Sequence, residues 1–145
     1  MEYVISKAKY IVKNPFYFSF MNLKKFITVQ NYSLKSFLKT NSLFIHIPKA
    51  AGMSVAKAIY GNFGGSHATV FDYRYIFSKK DFDRFFKFTF VRNPWDRLYS
   101  AYYFLKKGGI NSKDKQWSDN HLLKYKNFEH CVIEWFSNEN VYKYI

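Results

Sequence analysis

Cysteine is nearly missing from this 145-residue sequence. The single thiol, Cys131, excludes an internal disulfide, and with four scattered histidines it gives no ligand cluster of zinc spacing, so no metal is expected. Long apolar runs are missing too. The best approach to the roughly 20 residues of a membrane helix, Tyr10 to Val29, is broken by Lys13, Asn14, Pro15, Lys24 and Lys25. Met1 to Gln30 lacks the apolar core and cleavage site of a signal peptide. These absences lead to the expectation of a cytoplasmic protein with no transmembrane segment. Acidic residues are scarce: 10 Asp and Glu face 23 Lys and Arg, a formal charge of +13. Such a surface attracts polyanions, whether nucleotide, nucleic acid, acidic glycan or anionic lipid, without choosing among them.

What is present begins with size. A chain of this length suits about one domain with a real core. Aromatics reach 23%, with 17 Phe and 13 Tyr, and carry no functional assignment by themselves. There are no repeats or low-complexity tracts. Residues 1–41 alternate lysines with aromatics and predict one or two short amphipathic helices packed on the main body. A peripheral seat on a membrane surface is the less common reading of such a segment.

Leu43 to Tyr60 is the stretch around which the chain is organised. Leu43–Ile47 reads as a short strand, Pro48 stops it, and Ala50, Ala51 and Gly52 let backbone approach a ligand. A helix follows, with Val55, Ala56 and Ile59 expected on its apolar face and Gly61 near its end. Lys49, the Ser54 hydroxyl and the N–H groups of the helix start would converge on one point suited to phosphate or sulfate. The order differs from the G-x-x-x-x-G-K-[ST] loop of ATPases, because Lys49 precedes Gly52 by three residues. Taken alone, the turn also fits an ordinary strand-to-helix connection.

Further along, GNFGG (61–65) is a loop, and Ser66 to Phe71 reads as a short strand or extended loop carrying His67. Ser78 to Phe86 is a predicted helix with the form of a capping box at Ser78–Asp81. Phe88–Val91 is a second strand-type run, and the helix-bearing segment between the runs permits a parallel crossover. The fold class is therefore α/β. Asn93 and Pro94 are a good cap and first helical residue, so a helix should start at the strand's carboxyl end, with Trp95, Leu98, Tyr102 and Leu105 toward the core. Arg92 at that junction would share a sheet edge with Lys49, and a guanidinium can grip a phosphate with two parallel hydrogen bonds while Ser100 adds a third. Asp96 and Arg97 read as a helix-surface ion pair or as bracing at the edge of the core. Residues 106–120 are a predicted loop. Phe128, Cys131, Val132, Trp135 and Phe136 form the apolar face of a last helix capped by Asn127, with Cys131 a packing residue.

Together, HIPKAAGMS (46–54) and FVRNPWDRLYSAY (90–102) resemble the paired nucleotide-binding motifs of sulfotransferases, in particular those of the carbohydrate O-sulfotransferase type and their bacterial relatives. The resemblance runs roughly from Ser42 to Trp135. It implies a P-loop-like three-layer α/β/α fold with a central parallel sheet, residues 42–145 being the N-terminal part of the nucleotide-binding core behind a lead-in of 1–41. Family domains continue further, so an incomplete C-terminal end is expected. It also implies the donor 3′-phosphoadenosine 5′-phosphosulfate (PAPS), with Lys49, Ala50, Ala51, Gly52, Met53 and Ser54 at the 5′-phosphosulfate and Arg92 and Ser100 at the 3′-phosphate. Met53 departs from the family's usual threonine. His67 matches a histidine implicated as general base, and Lys49 would be the other catalytic residue. His46 reads as a supporting or core residue.

The implied function is sulfuryl transfer to a carbohydrate hydroxyl, with nucleotide donor and glycan acceptor as partners and no nucleic acid. Oligomeric state is not legible. The alternatives are a nucleotide kinase or other phosphotransferase, which would require Mg²⁺, and a non-catalytic basic module that binds polyanions.

Overall fold

The computed structural model of the protein describes residues 2–135. Two compact units divide the chain between Val91 and Arg92. The first contains α1 (Glu2–Lys13), α2 (Pro15–Leu23), α3 (Lys35–Thr40), β1 (Ser42–Phe44), α4 (Gly52–Tyr60), α5 (Val70–Ile76), α6 (Lys79–Arg84) and β2 (Phe86–Phe88). The second contains α7 (Pro94–Lys106), α8 (Ser112–His121) and α9 (Phe128–Trp135). Among the described residues the secondary structure is mixed, mostly helical, with one small parallel sheet in the first unit.

That sheet pairs β1 with β2 in parallel, Ser42 opposite Phe86, Leu43 opposite Lys87 and Phe44 opposite Phe88. The pairing lies two residues earlier than the Phe88–Val91 run predicts. Register decides this. Phe86 N donates to Asn41 O (3.0 Å) and Ile45 N to Phe88 O (2.9 Å), which locks the strands at both ends, while the Thr89 hydroxyl bonds Ile45 O at 2.7 Å. Phe90 and Val91 lie beyond the ladder and are exposed.

Helix α3 ends at Asn41, which takes the left-handed conformation common at helix ends and turns the chain into β1. The core of this unit joins Leu34, Phe37, Leu43, Phe44, Ala56, Tyr60, Tyr73, Ile76, Phe77 and Phe85. On α4 the buried positions are Gly52, Ala56 and Tyr60, four apart, so Ile59, expected inside, is exposed. Residues 66–71 are neither strand nor extended loop throughout: Thr69 opens α5. Its hydroxyl accepts from Asp72 N at 3.2 Å, and the Asp72 carboxylate takes the Thr69 amide at 2.7 Å, a complete capping box. The Tyr10 hydroxyl donates to the same carboxylate at 2.6 Å, pinning α1 to α5.

In the second unit α7 starts where expected, with Asn93 Oδ1 accepting from Trp95 N and Asp96 N. Tyr102, Leu122, Tyr125, Cys131 and Trp135 form its core, whereas Trp95 is exposed rather than buried. Residues 106–120 are not a loop throughout, because Asn111 caps α8 by accepting from Asp114 N at 3.0 Å. Asn127 caps α9 through His130 N at 2.8 Å, with Cys131 buried as expected. Phe136, placed on the same face by its spacing, lies outside the described residues.

Candidate functional site

The strand-to-helix turn after β1 is built by unusual backbone. Lys49 and Ala51 both have left-handed conformations, φ 64° and 59°, while Ala50 between them does not. Residues with a Cβ pay for that conformation, which concentrates at sites where the fold over-determines the chain. Here Ala50 is buried, and its amide bonds Ile47 O at 3.3 Å. Alternation of backbone handedness turns successive N–H groups toward one side, the arrangement that cradles anions.

Ala51 is the N-cap of α4 and has no side-chain acceptor to offer. The first-turn amides of Gly52, Met53 and Ser54 therefore point out of the helix at its positive end, and Ser54 exposes its hydroxyl one step further. Met53 is 43% exposed and contributes no hydroxyl. Lys49 is half-buried at the turn. This turn thus sets the first-turn amides of Gly52, Met53 and Ser54 next to Lys49 in the chain.

Two histidines meet beside it. The rings of His46, at the exit of the strand, and His67, in the turn before α5, lie 4.6 Å apart and tilted by 32°. The His46 ring also lies against Gly52: a Cβ there would stand 1.8 Å from His46 Cδ2. Glycine at 52 is thus required by the neighbouring ring, independently of any ligand. Burial first, and the adjacent His67 second, hold the His46 imidazole below the usual histidine range. His67 itself is exposed. So the histidine that was distant in sequence, 13 residues past Ser54, stands next to the ring that touches the first residue of α4. His46, read from the sequence as a supporting or core residue, is half-buried against Gly52, but its meeting with His67 was not legible from the sequence.

Arg92 and Ser100 belong to the second unit. Arg92 is exposed immediately before the Asn93 cap, and Ser100 is half-buried two turns into α7. The α7 start differs from that of α4, because Asn93 Oδ1 already occupies the amides of Trp95 and Asp96 at 3.0 and 3.5 Å. An anion at this junction would be gripped by side chains, above all a guanidinium, rather than by first-turn amides.

The sulfotransferase family model matches residues 36–144, three quarters of the chain and parts of both units. The protein belongs to the sulfotransferase family. No curated protein and no solved structure is similar enough to match it. Both the HIPKAAGMS turn and the RNPWDRLYS junction of this sulfotransferase fall within the matched span. Among the described residues no helix is long and apolar enough to cross a membrane, and no three His, Cys, Asp or Glu side chains cluster as metal ligands would.

Proposed function

We propose that the protein transfers a sulfuryl group from PAPS to a hydroxyl of a carbohydrate acceptor, with residues 42–145 belonging to a P-loop-like three-layer nucleotide-binding core and 1–41 as a helical lead-in. The observation that carries this reading is the contact of His67 with His46 over Gly52, which puts a titratable ring beside an uncapped, amide-lined helix start. PAPS would supply the activated sulfuryl group and a leaving phosphate.

The residues then divide the work. The amides of Gly52 and Met53, with Ala50 and Ala51 shaping the turn, would hold the 5′ end of the donor, assisted by the Ser54 hydroxyl. Lys49 would neutralise the negative charge that grows on the leaving side as transfer proceeds, an interaction stronger in the transition state than before it. Arg92 and Ser100 would hold the 3′-phosphate through side-chain hydrogen bonds. His67 would take the proton of the acceptor hydroxyl at a ring nitrogen, with His46 fixing the orientation of its ring. The scheme requires no metal.

The test combines binding with turnover. Thermal shift with 3′-phosphoadenosine 5′-phosphate, ATP plus Mg²⁺, and an anionic polymer separates this reading from a kinase and from a polyanion-binding module, since only a preferred ligand stabilises well below saturation of the others. With labelled PAPS and a panel of oligosaccharides, Lys49→Ala is expected to lose about 10²–10³-fold in turnover. His67→Ala should lose about 10²–10⁴-fold while retaining nucleotide binding. Unchanged turnover in either variant would remove that residue from its role, and stabilisation by ATP plus Mg²⁺ alone would transfer the protein to the kinase reading.

A further inference from the structure

Helix α1 is amphipathic in an inverted sense. Its inward edge is made of tyrosines: Tyr3 donates to Arg74 O at 2.9 Å, and the Tyr10 ring lies 5.0 Å from that of Tyr75. Its outward stripe is aliphatic. Val4, Ala8 and Val12 follow one another at i, i+4 and i+8 with Ile5 beside them, all exposed, and Val12 is 81% exposed. By the same helical geometry Lys9 and Lys13 border that stripe on one side and Lys7 on the other. On α2 the pattern repeats with larger groups: Phe16, Phe20 and Leu23, at i, i+4 and i+7, are exposed, Phe16 to 90%, and exposed Phe26 and Ile27 follow.

A water-facing helix surface ordinarily carries polar groups, so two successive apolar ridges need an occupant. Charge indicates which one. The charged side chains on and just after α1 and α2 are Glu2, Lys7, Lys9, Lys13, Lys24 and Lys25, a net positive balance that favours an anionic partner. A second copy of this segment would bring lysine to lysine. Nucleic acid would satisfy the lysines but gains nothing from the aliphatic Val4–Ala8–Val12 stripe, which has no stacking face and no hydrogen-bonding group. An anionic lipid surface takes both: headgroups meet Lys9 and Lys13, while valine, leucine and phenylalanine side chains enter the boundary with the acyl chains.

We infer that α1 and α2 form a peripheral membrane-docking surface for anionic lipid bilayers. The inference is independent of the sulfotransferase chemistry. It concerns a face that lies on the surface of the bilayer, not one that crosses it.

Vesicle co-sedimentation of the full chain tests it, with phosphatidylcholine vesicles compared with vesicles containing about 30% phosphatidylglycerol. The protein is expected to bind the anionic vesicles at least about tenfold better, with the advantage reduced at high salt. Val12→Glu/Phe16→Glu alters only exposed positions and should reduce binding about tenfold or more, circular dichroism confirming the fold. Lys113→Glu, the same charge change on exposed α8, should leave most of it. Equal loss in both variants would overturn the proposal by reducing it to bulk charge, and no loss in either would overturn it by placing the lipid contact elsewhere. Two other outcomes would also overturn it: tighter binding to single-stranded RNA that the double variant loses, or a dimer in light scattering that the double variant dissolves.

Discussion

Gly52 and His46 show how one residue limits another. With a Cβ at 52 set to fall 1.8 Å from the His46 ring, Gly52→Ala forces either the imidazole or the first turn of α4 to move. Overpacking of this kind costs about 1–3 kcal/mol, so the thermal midpoint should drop by several degrees, and His46→Ala in the same chain should recover part of the loss. Independent, additive losses in the two variants would show that the contact is not what constrains position 52. The same ring makes stability depend on pH. Because the folded protein holds His46 below its ordinary value near 6.5, through burial and then His67, the unfolded chain binds the proton first as pH falls. The contribution is intact above about pH 6.5 and lost on acidification below it. The thermal midpoint of the wild type should therefore fall more steeply than that of His46→Asn between about pH 7 and pH 5.

At the scale of elements, helix starts were legible wherever a cap and its third residue were taken at face value. Ser78 with Asp81 and Asn93 with Pro94 led to α6 and α7. Thr69 with Asp72 and Asn111 with Asp114 carry the same signal, yet α5 and α8 were hidden by what surrounds them. Ser66–Phe71 has the β-branched and aromatic content of a strand, and α8 is polar nearly all round, anchored chiefly by Trp117, whose ring meets that of Trp135 at 6.1 Å, and by buried Ser118. Local hydrogen bonding outweighed hydrophobic periodicity in both places. The Asn93 cap offers a direct check. Asn93→Ala should cost about 1 kcal/mol in denaturant unfolding, since two amides lose their acceptor. Asn93→Asp should retain most of the stability. A neutral Asn93→Ala would mean that Pro94 alone defines the start of α7.

For the whole molecule, a net charge of +13 sets a general condition. Among the described residues the ion pairs Lys79–Asp83, Arg84–Asp81 and Lys115–Asp119 each join neighbours on one helix and are largely solvated, so they do little to offset repulsion between distant lysines. Screening should do more. Raising sodium chloride from about 20 mM to about 500 mM shortens the Debye length from over 20 Å to under 5 Å and is expected to raise the thermal midpoint. A midpoint that falls with salt would indicate that exposed charge pairs, not self-repulsion, dominate.

By itself the sequence determined the strand–turn–helix order, the helix caps, the basic balance and the membership in the sulfotransferase family, because each depends on residues within a few positions or on a recurring motif. Tertiary structure decided what depends on distance: the register that moved β2 to Phe86–Phe88, the exposure of Ile59 and Trp95, and the meeting of His46 with His67 over Gly52. The physical reason is that caps and turns are satisfied by neighbours in the chain, whereas a ring contact or a strand register is chosen by whichever packing fills the space between elements far apart in sequence.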